Sequence, residues 1–344
     1  MGSSTAKEHH LVPQWWLRAF AENGHILGRR RSGAEHRTPL RRAAVARNFN
    51  TDPLVEGEQR VALETYLDRH VDGPSAPVMR ALRTGLSSLE NVRESVVLDF
   101  VAWQVVRTRA FRSFDAQVCR HLFPAMWALE AVGHAEERLK RPLTEVERME
   151  VFWTSVRGAP DPSLVDDPRS PLRASIRAFE RTREVLATPG RRLVLLHSAE
   201  PMLVLSDSGV VLRRKDGSFS ITPPLLPETI EVFAPLSPTC LLISTPRAHY
   251  RPQDGLTRKI AAKANAGAAA WFQDAVYRLE SMPWPARLRL PDAPLSVQPP
   301  QLSARPAQRP AETMPAHREV RRRELRAILD QLSQTPKSGF LTHH

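Results

Sequence analysis

The chain predicts an α+β fold, a mainly helical body with a small, largely antiparallel β-sheet inserted near residues 191–245. Three patterns predict it. Apolar residues recur at helical spacing from Glu94 to Leu122. Short β-type runs broken by turn residues crowd 191–245. Beyond Pro283 proline replaces apolar residues. The expected organisation is one domain over 1–282, a disordered proline-rich linker over 283–316, and a basic amphipathic helix over 317–333.

The domain opens on His9-His10-Leu11-Val12-Pro13-Gln14-Trp15-Trp16-Leu17-Arg18-Ala19-Phe20. Pro13 suits a first helical turn, where its missing N–H costs nothing. Trp16, Leu17 and Phe20 then share a face. His9 and His10 fall just outside the helix N-terminus, whose dipole favours the neutral imidazole. That form binds metal or accepts a proton, although two adjacent histidines also read as a capping residue beside a solvated one.

Gly24 to Arg30 reads as a short strand beside a glycine turn, and 31–55 as polar, basic and irregular. Arg41, Arg42 and Arg47 lie there, either solvated or facing an anion. Glu58 to His70 predicts a helix on which Glu58 and Glu64 point to different sides. Val78 to Leu86 predicts another. Glu94 to Leu122 is the apolar spine, with Val96, Phe100, Trp103, Val106 and Phe111 on its core face. Gln104 and Arg107 ride on it, and an arginine beside a buried face needs a carboxylate. The candidates are Glu58, Glu64 and Asp207.

Thr144 with Glu147 spells a capping box opening a helix through Ser155. Ser170-Pro171 opens the next, stopped by Thr188-Pro189-Gly190. The β-type runs follow, with Asp216-Gly217 as a hairpin signal. Ser206-Asp207 ends one run, where its carboxylate caps a turn or serves a site. Gly255 to Glu280 predicts a long helix bearing Asn265 among alanines. From His317 onward, Leu325, Ile328, Leu329 and Leu332 form a stripe among arginines, and the helix is expected to stand apart from the body.

Lys and Arg exceed Asp and Glu by 49 − 37 = 12. From Pro283 onward ten Lys and Arg stand against five Asp and Glu, a net of +5, and the remaining +7 is spread over the body, which argues against a dedicated DNA-binding face and leaves anionic partners open. Only Cys119 and Cys240 occur, which fits a reducing compartment without a disulfide framework. No apolar run approaches the roughly 20 residues that span a bilayer. The N-terminus lacks a signal-peptide pattern, and Ala6 stands where a myristoylation motif needs Ser or Thr. A cytoplasmic protein without an integral membrane segment is expected. No P-loop, dinucleotide fingerprint, Cys-x-x-Cys, His-Glu-x-x-His or Gly-x-Ser-x-Gly occurs, so those chemistries lack support.

His-x-x-Pro-x-x-x-Leu-x-x-Phe at the start resembles the opening of the bacterial DUF4238 family, a domain of unknown function. Asn48-Phe49-Asn50 is similar to its Asn-Phe-Tyr segment, with Asn50 in place of the aromatic. Glu58 and Glu64 resemble its spaced glutamates. Gln104, Arg107, Thr108 and Arg112 resemble its Phe-x-x-x-Gln-x-x-Arg-Thr helix. Ser206-Asp207 and Pro235-Leu236-Ser237-Pro238 are similar to two of its turns, though Ser208-Gly209 replace the usual Asn-Pro. Asn265 and Tyr277 resemble its last helix. The family implies an architecture and no established activity.

Two functions fit these residues. In a binding or regulatory protein the polar residues form a structural network, and the basic C-terminal helix recruits nucleic acid or another anionic partner. In a metal-dependent hydrolase or nuclease of defence or toxin type, His10, Glu64, Arg107 and Asp207 are catalytic. His9, His10, Glu58, Glu64 and Asp207 are then candidate ligands for a divalent metal, and Arg107 holds a phosphate. Convergence of His10, Glu64, Arg107 and Asp207 in one pocket is expected under the second reading.

Overall fold

The computed structural model describes residues 8–159, 169–220, 229–246, 250–286, 288–291 and 323–330. Helix outweighs strand, as the α+β reading requires, and the strands form three antiparallel sheets. The opening segment is a strand, β1 (Glu8–His10), followed by the short helix α1 (Gln14–Leu17). Pro13 sits at the N-cap of α1, and Trp16, Leu17 and Phe20 are fully buried together.

The stretch 31–55, expected to be irregular, holds strands. After β2 (His25–Arg30) come β3 (Glu35–Pro39) and β4 (Val45–Arg47). β3 pairs with β2, while β4 pairs with β1 so that His10 lies opposite Val45. Polar residues tolerate these half-exposed ribbons, and only tertiary pairing reveals them.

α2 (Ala62–Leu67) passes through a π-turn (Asp68–Asp72) into α3 (Gly73–Arg83). The wider turn presses the Asp68 carbonyl against position 73, where a Cβ would lie 2.5 Å from that oxygen, so glycine is required there. The expected single spine is two helices, α4 (Glu94–Val106) and α5 (Arg109–Leu139). Arg107 leaves helical geometry at ψ 46° and Thr108 is extended, its hydroxyl accepting from the Phe111 N–H. The apolar period conceals this break because both helices are core. α6 (Glu145–Arg157) carries the Thr144–Glu147 capping box, and α7 (Ser170–Leu186) packs on α4 through the Trp103–Phe179 edge contact.

The inserted β-region splits between two sheets. β5 (Arg192–His197), β7 (Val211–Arg214), β8 (Phe219–Ser220), β9 (Thr229–Ser237) and β10 (Cys240–Thr245) make a five-stranded sheet ordered β5-β10-β9-β7-β8. β6 (Leu205–Ser206) leaves it for a second sheet, β3-β2-β11-β6. β11 (Ala275–Arg278) corrects the expected helix over 255–280, since α8 (Arg258–Trp271) stops at Trp271. Val276 and Tyr277 fit a helical stripe or a strand buried on both faces, and all four β11 residues are buried.

The expected boundary at residue 282 also moves. Trp284, Leu288 and Leu290 pack against the core beneath α8. Residues 292–322, most of the expected linker, lie outside the described residues. α9 (323–330) does not stand apart. Leu325 is 2% exposed within the main core, and Ile328 and Leu329 pack beside it. Among the described residues no helix is long and apolar enough to cross a membrane.

Candidate functional site

The polar residues meet where β1, α2, the π-turn and the α4–α5 break converge. The break swings Arg107 inward, and the π-turn carries Asp72 toward it. Arg107 is 2% exposed and donates to Asp72 Oδ2 at 2.5 Å, with Glu64 Oε1 at 3.8 Å from its other terminal nitrogen. Burial opposes its charge, but Asp72 and Glu64 outweigh that and raise its pKa. Arg107 is therefore a cation enclosed by two carboxylates. Of its expected partners only Glu64 takes part. Glu58 is exposed on the turn before α2, and Asp207 lies elsewhere.

Asn50 is the hub. Its backbone N–H donates to His9 Nδ1 at 2.8 Å, its side-chain amide to Glu64 Oε2 at 2.7 Å, and its side-chain carbonyl accepts from Arg112 at 3.1 Å. His9 Nδ1, as an acceptor, carries no proton, so its 3.8 Å approach to Glu64 is not an ion pair. His10 is the opposite tautomer. Its Nδ1 faces the Ala43 carbonyl at 3.2 Å and must donate, which leaves the lone pair on Nε2. Burial first, and Arg107 after it, lower the His10 pKa and favour the neutral ring.

Arg112 completes the network. Its guanidinium lies 3.3 Å over the Phe49 ring and donates to the Phe49 carbonyl. Burial and the nearby Arg107 lower its pKa to about 9. Two guanidinium groups, Arg107 and Arg112, thus face two carboxyls, Glu64 and Asp72, and burial raises the Asp72 pKa against the pull of Arg107.

Asp207 serves a turn. Its carboxylate oxygens accept from the Gln273 and Asp274 N–H groups at 2.9 and 2.7 Å, holding the chain between α8 and β11. Burial raises its pKa to about 6. It reaches the histidine strand only indirectly, since the Gln104 amide donates to the carbonyls of both Ser208 and Leu11. Gly209 makes that approach possible, with φ +74° and a virtual Cβ 2.9 Å from both Gln104 and Trp16. The ribbon is strained at Ala44, just before β4, whose φ of 48° puts a β-carbon in the left-handed region. Tyr277 holds it there by accepting the Ala44 N–H at 3.0 Å.

The structure thus brings His9, His10, Glu64 and Arg107 together and leaves Glu58 and Asp207 outside. The expected metal set of His9, His10, Glu58, Glu64 and Asp207 is not assembled: among the described residues no group of three or more His, Cys, Asp or Glu is arranged to hold a metal ion. Asp72 had no signal in the sequence, because the π-turn that aims it has none. Asn50 was visible only as a departure from an aromatic.

These features define an α+β protein with a largely buried polar network joining its N-terminal ribbon to its helical core. Its distant motifs touch one another, the Trp16 indole donating to the Pro235 carbonyl at 2.7 Å. The profile of the family described as "Protein of unknown function (DUF4238)" matches residues 8–301, and the chain belongs to that family. Neither the curated proteins nor the solved structures contain a match to it.

Proposed function

We propose that the protein is a non-catalytic binding or regulatory protein for an anionic partner, its polar network acting as a brace. One observation carries this reading: Arg107 pairs inside the network with Asp72 and Glu64, and Arg112 with Asn50, while four exposed arginines beside it form no ion pair among the described residues. Arg41, Arg42, Arg47 and Arg109 are exposed around β4 and make no ion pair among the described residues. Arg109 donates to the Val45 carbonyl and so stands on the braced ribbon itself. Such a cluster attracts phosphate-rich chains and is screened by salt. α9 adds exposed Arg326. Free, buried Cys240 suits the reducing, cytoplasmic setting that we infer.

The second reading, a metal-dependent hydrolase or nuclease, draws support from His10. Its neutral ring presents an Nε2 lone pair, the form that acts as a base or binds metal, beside Glu64. Incubating an end-labelled single-stranded oligonucleotide with the protein, with and without Mg²⁺ or Mn²⁺, separates the two. The binding reading expects retarded, intact oligonucleotide. Metal-dependent cleavage that His10→Ala abolishes would establish the hydrolase instead.

A further inference from the structure

α9 sits against the body in an unusual relation to the family. Every described residue that receives it lies inside the matched region 8–301, whereas α9 itself lies outside. Glu324 contacts His70 Nε2 at 2.6 Å, on a ring tilted against Tyr66. Leu325 enters the core. Ile328, with Leu63 and Leu172, lines a small, partly open recess whose lining also includes Asn50 and Asp52. The helix therefore closes over the hub of the polar network.

Its hold is narrow. Among its described residues only Leu325 is fully buried, and Arg323 and Arg326 are exposed. It is joined to the domain along the chain, so its contact with the body is intramolecular.

We infer that the surface formed by α2, the π-turn and the start of α7 is a receptor groove for one amphipathic helix, this chain's own α9, which can leave it. The groove reads an acid one residue ahead of a leucine, followed at i+3 by an apolar side chain. His70 takes the acid, the core takes Leu325, and Ile328 closes the recess. Departure of the helix uncovers Asn50 and Asp52.

The test uses the full chain. Leu325→Asp/Ile328→Asp removes the resident's anchors and leaves the groove intact. A fluorescent peptide of residues 317–333 is titrated into this variant and into wild type, with anisotropy as readout. The peptide binds the variant about tenfold or more tightly than wild type, whose groove is filled. Adding His70→Ala to the variant weakens that binding. Equal binding to both chains, binding to neither, or indifference to His70→Ala overturns the inference. Loss of cooperative melting in the double variant does so too, because α9 would then be part of the folding core.

Discussion

At the scale of single residues, the brace assigns Arg107 to stability. Removing one partner of a buried ion pair leaves an uncompensated charge, which costs about 3 kcal/mol or more. Arg107→Met should lower unfolding stability by that order in a urea titration. Arg107→Met/Asp72→Met should recover most of it, because the double change leaves no orphan between those two positions. Asp207 gives a pH signature. Its folded pKa of about 6 lies above its ordinary value, so the folded state binds the proton more tightly between about pH 4 and 6. Stability from this group therefore rises as pH falls through that window. Compared with Asp207→Asn, wild type should gain on the order of 2 kcal/mol between pH 7 and pH 4. A difference that is flat, or opposite in sign, would contradict the burial that raises this carboxyl. The sequence exposed the need behind these residues better than their pairings. An arginine beside the core face of the apolar spine demanded a carboxylate, but nothing local could show that the π-turn would supply Asp72.

At the scale of elements, the two helices of the spine depend on one cap. Thr108 is extended and its hydroxyl takes the Phe111 N–H, so Thr108→Ala should cost about 1 kcal/mol and loosen the break that turns Arg107 inward. Thermal melts of Thr108→Ala and Thr108→Ser check this, with serine keeping the cap. The capping box at Thr144 was readable because every part of it lies within four residues. The α4–α5 break was not, since apolar spacing continues across it. β11 was hidden for a related reason: a four-residue strand buried on both faces has no alternation to betray it. β3 and β4 were hidden because their polar residues form ribbons only once β1 and β2 are beside them.

At the scale of the whole molecule, the body and the tail are less separate than composition implied. Proline content marked a boundary near 283, yet Trp284, Leu288 and Leu290 are partly buried and pack against the core beneath α8. Ending the chain after Met282 should therefore cost stability that ending it after Pro291 does not, and paired melting curves of the two truncations measure the difference. Composition also concealed where the charge acts. The +7 of the body appeared spread along it, and folding sets Arg41, Arg42, Arg47 and Arg109 around one short strand beside a network that pairs Arg107 with Asp72 and Glu64. The most direct test of this account is the salt dependence of oligonucleotide binding by wild type and by Arg41→Ala/Arg42→Ala/Arg47→Ala/Arg109→Ala. Each phosphate that the variant no longer neutralises lowers the slope of log K against log salt by about 0.7 for a single strand. The account predicts binding at low salt with a slope that falls by roughly two to three in the variant, at unchanged melting temperature. No binding by wild type, or the same slope in both proteins, would contradict it.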